Sequence, residues 1–365
     1  MTAGARSAWL TFTPRDTVFV RDGRSFDAAS DAVADAVRPS PTTIAGAVGA
    51  AFGQNPVAVR GPVLARRDAD GTWAPYFPVP TDLVVTTGGT ERVYRMTPGL
   101  DEDPGAAGQT DLTGASPANG GLRFLVPPRE AEPVKALDGW IPANILAGYL
   151  AGRLPGRDGM ANRDLQIARP LVPERRVGLA REGRTAREGY LYQATHLRPR
   201  DGWGFLAEYD VPDDWGAQAA EHVPFGGRGR VADVGAADVR WPDATALEPP
   251  AAIGCHVLVY LATAAVWPGG WRLPVPDGAR LIAAATGEPE PAATVKRDQG
   301  QWRASRVLRW AVPAGSVYLL EFADAAEGAR WAREQNGAAL HRGVADDPDV
   351  VRTAGFGVVL TGAWT

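Results

Sequence analysis

One cysteine, Cys255, stands in a chain of 365 residues, and that removes two common ways of holding a protein together. No disulfide framework can form within the chain, and no cysteine cluster can hold structural zinc. Four histidines (His196, His222, His256 and His341) leave little material for a histidine metal centre. The fold must rest on apolar cores. The length suits about two ordinary domains, and 45% hydrophobic with 22% charged residues is the balance of a folded protein. No stretch reaches the roughly 18 continuous apolar residues of a membrane span. The longest apolar run, 257–267, reads as a buried strand. The opening MTAGARSAWLTFTPRD has no apolar core of signal-peptide length, so a cytoplasmic protein is the expectation.

Charge is unevenly spread. The net value is −4, yet residues 153–200 hold eleven arginines against five acids, and residues 201–250 hold ten acids against three arginines. Such a split suggests one face for an anion and another for a different partner. Its alternative is internal pairing of the two stretches. Of 38 basic residues only Lys135 and Lys296 are lysines. GC-rich codon usage accounts for such a bias, and arginine's planar fork also suits phosphate and base contacts.

Local signals predict an α+β chain. A strand is expected at Trp9–Thr13. In SPTTIAGAVGAAFG, Ser40 is a natural N-cap, Pro41 fits the first helical position, Ile44, Val48, Ala51 and Phe52 share a face, and Gly53 ends the helix. That helix start, with Ser40, Thr42 and Thr43, is a candidate anion site. A hairpin should turn at residues 68–71, and a mobile Gly/Pro-rich loop is expected at 98–121. A second helix is expected from an Asp138 cap to about Ala151. Short strands are expected at 177–180, 190–197 and 204–209. Between the first two of these lies a polar tip, REGRTAREG, with Arg184 and Arg187. FGGRGR (225–230) reads as a glycine turn carrying Arg228 and Arg230. Near the end, strand 317–322, a helix with the Asp324/Glu327 capping pair and strand 356–364 form a β–α–β close. This is the second half of a ferredoxin-like (RRM-like) unit, without an evident first helix.

Enzyme motifs are missing: there is no phosphate-loop lysine motif, strand-following GxGxxG, HExxH or GxSxG elbow. Cys255 sits in apolar context and reads as a packed residue. His196, among arginines, could serve as an acid/base with Arg198 or Arg200, or as a hydrogen-bonded or RNA-stacking ring. What remains is a set of arginine- and glycine-rich turns, a pattern suited to gripping single-stranded RNA.

Several islands together carry a resemblance: TFTPRDTVFVRDGRSFD, PSPTTIAGAVGAAFG, RGPVL, YFPVPTDLV, ERRVGLAREGRTAREGYLY, FGGRGR, PAGSVYLLEF and GFGVVLTGAW. They resemble the family of third subunits of type III-B CRISPR effectors, the Cmr complexes, within the RAMP superfamily. The islands run from about Trp9 to Trp364, and PRD…RDGRSFD…PSPTTIAGA is the most specific block. The resemblance implies two ferredoxin-like domains with hairpin and loop insertions, expected at 1–215 and 216–365. It implies a non-catalytic subunit without cofactor or metal that holds the repeat-derived 5′ tag of a guide RNA. Its expected partners are the large signalling subunit and neighbouring RAMP subunits, not duplex DNA or membrane. RAMPs that process guide RNA usually carry a histidine early in the first domain; here the first is His196. The glycine turn reads Gly227–Arg228–Gly229 where the family tends to have an acid. The candidate RNA-contacting residues are Arg15, Arg24, Ser40, Thr42, Thr43, Arg184, Arg187, His196, Gly226, Gly227, Arg228, Arg230, Gly355, Phe356 and Gly357. Two alternatives stand beside this reading, a guide-processing endoribonuclease and a protein-only scaffold.

Overall fold

The structure, a computed structural model, describes residues 5–20, 33–34, 37–54, 56–88, 91–99, 122–128, 133–212, 218–247, 253–298, 301–340 and 353–364. Arg24, most of the 98–121 loop and His341 lie outside these residues. Two antiparallel sheets dominate. The first has seven strands in the order Trp140–Pro142, Trp73–Pro78, Ala58–Arg67, Trp203–Pro212, Ala5–Pro14, Val231–Ala237, His222–Pro224. The second has four, in the order Ala279–Ala285, Val317–Phe322, His256–Leu261, Val359–Ala363.

The two sheets share a plan. Taking Ala5–Pro14, Ala58–Arg67, Trp203–Pro212 and Val231–Ala237 as strands one to four of the first sheet, and the four strands of the second in chain order, strand one lies between strands four and three, and strand two flanks strand three. The first sheet has a helix after its first strand, α1 (Pro41–Phe52), and none among the described residues between strands three and four. The second sheet has the complementary set. No helix follows its first strand, and α3 (Ala325–Gln335) connects strands three and four. Strands therefore dominate a mixed α/β chain, and neither half shows both helices of a β-α-β-β-α-β unit among the described residues.

α1 forms as the sequence dictates. Ser40 is extended, Pro41 occupies the first turn, and Gly53 closes the helix at φ 68°. Ile44, Ala47, Val48 and Ala51 pack against Leu10, Phe12, Val59, Leu64 and Phe205 of the sheet. At α3, the Asp324 carboxylate accepts the Glu327 N–H at 2.8 Å. The hairpin turn at 68–71 is closed by Asp68 and Thr72.

Three expectations need correction. Asp138 does not cap the second helix. Trp140–Pro142 pairs with the strand Trp73–Pro78 instead, and Pro142 is the N-cap of α2 (Ala143–Leu150). Trp140 and Ile141 thus belong to the sheet edge rather than to a helical face. The short arginine-rich strands are long ones, Leu171–Glu182 and Thr185–Pro199, in a hairpin that turns at Gly183 and Arg184. The first sheet also extends past residue 215, because Val231–Ala237 pairs along Ala5–Pro14.

The two halves are not separate bodies. One core cluster takes Trp9, Val63, Phe77 and Leu206 from the first half and Leu258, Tyr260, Leu319 and Leu360 from the second. Gly362 in the last strand sits against the C-terminus of α2, where a Cβ would stand 2.1 Å from the Leu150 carbonyl oxygen. Replacing Gly362 with alanine should therefore cost about 1–3 kcal/mol of stability, as overpacking does. Chemical denaturation of the full chain checks this. An unchanged midpoint would show that the halves are not in such close contact.

Candidate nucleic-acid interface

The segment Pro14–Val20 is the organiser of the site, since five consecutive residues of PRDTVFV each take a distant partner. Arg15 Nε donates to Asp233 Oδ1 at 2.7 Å. Asp16 accepts from Arg176 Nη2 at 3.1 Å, from Arg198 Nη2 at 2.9 Å and from Arg230 Nη1. Thr17 Oγ1 and His196 Nδ1 are 2.8 Å apart in a buried bond. Val18 exchanges backbone hydrogen bonds with Leu197. The Phe19 carbonyl accepts the Gly227 N–H at 2.7 Å. Its ring stacks on His196, centroids 4.6 Å apart, and the Arg228 guanidinium lies 5.2 Å from its centroid. The end of the first strand thereby ties the long hairpin to the glycine turn.

Glu174 completes the charge network, accepting from Arg176 Nε at 2.7 Å and Arg198 Nε at 2.5 Å. Partial burial alone would raise the Asp16 pKa, but hydrogen bonds and charge from Arg176 and Arg198, with the charge of Arg230, hold it below the usual carboxylate range. The hydrogen bonds from Arg198 and Arg176 lower that of Glu174 in the same way. His196 is only 1% exposed. Burial first, then the charges of Arg176, Arg230 and Arg228, lower its pKa and favour the neutral ring.

The glycine turn is a tight hairpin end. Gly226 has φ 84°, Arg228 φ 58° and Gly229 φ 68°. The Phe225 N–H donates to the Arg230 carbonyl at 2.8 Å. A Cβ on Gly226 would lie 2.7 Å from the Phe19 carbonyl oxygen, so only glycine fits there. Arg228 is a non-glycine residue in the left-handed region, at a backbone cost of about 1–2 kcal/mol.

A cleft of about 950 Å³ opens between this turn, the start of α1 and the second half. Ser40, Thr42, Thr43, Gly226, Gly227, Arg228 and Phe356 all line it, joining candidates separated by hundreds of residues. Ser40 Oγ does not cap the α1 backbone; it bonds the hydroxyls of Thr42 at 2.8 Å and Thr43 at 3.2 Å. The positive end of the helix dipole therefore faces the cleft without a capping side chain. Thr42 Oγ1 also donates to the Ala293 carbonyl at 3.1 Å, linking α1 to the second half. Arg38, 4.6 Å over the Trp140 ring, and Glu290 also line the cleft. Burial pushes the Glu290 carboxyl above its ordinary range, with Arg38 opposing.

The other candidates lie elsewhere. Arg15, next to Asp16, turns its side chain to Asp233 and His222. Arg184 is exposed at the tip of the long hairpin, and Arg187 lies on its second strand. Arg230 is turned to Asp16, and His196 lies beneath Phe19. Gly355 is a packing glycine: at φ 90° a Cβ would stand 2.5 Å from the Val59 carbonyl oxygen. Phe356 is fully buried at the cleft floor, and the Gly357 N–H donates to the Ala264 carbonyl at 2.8 Å. Sequence reasoning did not single out Asp16, Thr17, Phe19, Arg38 or Trp140. The density of motif residues in PRDTVFV pointed to the first three, and nothing in the sequence pointed to Arg38 or Trp140. Among the described residues no cluster of potential ligands could hold a metal ion, and no helix is long and apolar enough to cross a membrane.

A family model described as CRISPR-associated protein (Cas_Cmr3) matches residues 10–364. No curated protein matches the chain. Among solved structures, a chain in the cryo-EM structure of the type III-B Cmr-beta bound to cognate target RNA aligns at 14% identity. It covers 85% of this chain and 86% of that one, with a TM-score of 0.44. A chain in the structure of the same assembly with target RNA and AMPPnP aligns at 13% identity, with the same coverage and TM-score.

The depressed carboxylates give the charge network a sign in pH. A lowered folded-state pKa contributes stability that is present above the unfolded value, near 4, and lost as pH falls through the folded value. Asp16→Asn should cost about 1–2 kcal/mol at neutral pH, since each bond is to a charged group but the network is partly exposed. The difference in Tm between wild type and Asp16→Asn should shrink towards zero on acidification below about pH 4. A difference that is constant with pH would contradict the network.

Proposed function

The chain belongs to the CRISPR-associated Cas_Cmr3 family, and from that premise we propose that it is a non-catalytic RNA-binding subunit of a type III-B effector complex. Its two sheets are read as two ferredoxin-like units, each short of one helix. The cleft between the α1 start, the glycine turn and the second half holds the repeat-derived 5′ tag of the guide RNA. Surfaces outside the cleft dock the large signalling subunit and the adjacent RAMP subunits.

One observation carries this reading: Ser40, Thr42, Thr43, Gly226, Gly227 and Arg228, from opposite ends of the first half, line the same cleft. Hydroxyls, an uncapped helix N-terminus and an arginine are the groups that grip a phosphate chain. The partly exposed Trp140 lies beside them. Together these form a charged groove with a stacking surface, as single strands favour.

The non-catalytic assignment is supported by the state of His196. Its ring is buried, bonded to Thr17 and stacked on Phe19, and Arg198 is held by Asp16 and Glu174. Of the candidate set His196 with Arg198 or Arg200, His196 and Arg198 are thus already engaged within the fold.

Arg228→Gly separates RNA binding from folding. It removes the guanidinium while relieving the left-handed backbone, so stability should change by less than about 1 kcal/mol as the lost cation–π contact offsets the gain. Affinity for single-stranded guide RNA should fall, and the slope of log affinity against log salt should become shallower by about 0.7 for a lost phosphate contact. Unchanged affinity and slope would contradict the assignment. Incubation with a repeat RNA should leave the RNA intact. Cleavage that is lost in His196→Ala would make the chain an endoribonuclease.

A further inference from the structure

The second half carries its own projecting hairpin, Glu290–Asp298 with Gln301–Ala311, inserted between the second and third strands of its sheet. Residues 290–311 hold five basic residues against two acids, and the strand QWRASRVLRWA sets three arginines between two tryptophans. A sequence in which basic and aromatic residues lie close together suits a single-stranded nucleic acid better than a protein surface.

The hairpin adjoins the cleft. Residues 290–293 line it, and the Ala293 carbonyl accepts from Thr42 at the start of α1. Trp310 lies opposite Pro291 in the ladder, and Leu308 opposite Ala293, so these four share a face. Trp310 is 62% exposed and Leu308 48%, both high for large apolar side chains. The ladder thus carries an open indole to the rim of the cleft.

We infer that Trp310 is a stacking platform for a base of the RNA strand as it leaves the cleft. This rests on the cleft being the RNA site. An indole face suits any base, so the platform adds affinity without sequence choice. Its contribution is not a phosphate contact and carries no salt dependence of its own.

The test uses the full chain and a labelled single-stranded RNA oligonucleotide of mixed sequence. Trp310→Ala should weaken binding by about five- to a hundredfold, the range for a lost base–aromatic stack. The salt slope should stay at the wild-type value, unlike that of Arg228→Gly. Trp310→Phe should restore most of the affinity, and Leu308→Ala should leave it unchanged. If Trp310→Ala binds as wild type does while Arg228→Gly is weakened, the platform is refuted and the cleft reading stands. If wild type binds no RNA, both fail. If Trp310→Ala and Leu308→Ala keep RNA affinity but lose a neighbouring protein subunit on co-purification, the face is a protein contact and the inference is overturned.

Discussion

Asp16 draws together three arginines from three separate parts of the chain. Arg176 and Arg198 come from the two strands of the long hairpin, and Arg230 from the end of the glycine turn. Two carboxylates, Asp16 and Glu174, serve these three guanidiniums, so the cluster stays one positive charge in excess. Without Asp16, like charges would face each other where the hairpin meets the first sheet. With it, Phe19 is fixed between His196 and Arg228, and the glycine turn is fastened to the Phe19 carbonyl. The wall of the cleft formed by the turn depends on that arrangement.

The same network reinterprets the charge map of the chain. The basic stretch 153–200 and the acidic stretch 201–250 are partly consumed inside the fold. Glu208 and Asp210 hold Arg60 at 2.5 Å each, and Asp233 holds Arg15. The acidic stretch is therefore less of a free partner surface than its composition suggests. Arg38 and Arg228 line the walls of the cleft. A buried group of Asp82, Arg95 and Tyr149 shows the same economy. Tyr149 Oη donates to Asp82 at 2.7 Å and Arg95 Nε does so at 2.9 Å, which ties α2 to residues 82 and 95.

Much of this was legible wherever the physics is local. The Pro41 start and Gly53 stop of α1, the Asp324 cap at the start of α3, the hairpin at 68–71 and the glycine turn depend on a few adjacent residues. So does the missing first helix of the second half. The start of α2 was not legible, because Asp138 looks like a cap until Trp140–Pro142 is known to pair with Trp73–Pro78. The grouping of Ser40, Thr42 and Thr43 with Arg228 was not legible either. They were separate anion-binding candidates, and only the sheet order brings them to one cleft. Asp16 was hidden for the same reason: an acid among arginines reads as neutral surface charge until its partners, some 160 to 214 residues away, are seen.

The central claim is that guide RNA lies in the cleft between the α1 start and the glycine turn. The most direct measurement is ultraviolet crosslinking of RNA in the purified effector complex, with the crosslinked peptides of this chain mapped by mass spectrometry. The account expects crosslinks in peptides containing Phe19, Ser40–Thr43 or Gly226–Arg228, from RNA with a repeat-derived 5′ end. Crosslinks confined to other surfaces of the chain, or none on this chain while neighbouring subunits are labelled, would contradict it.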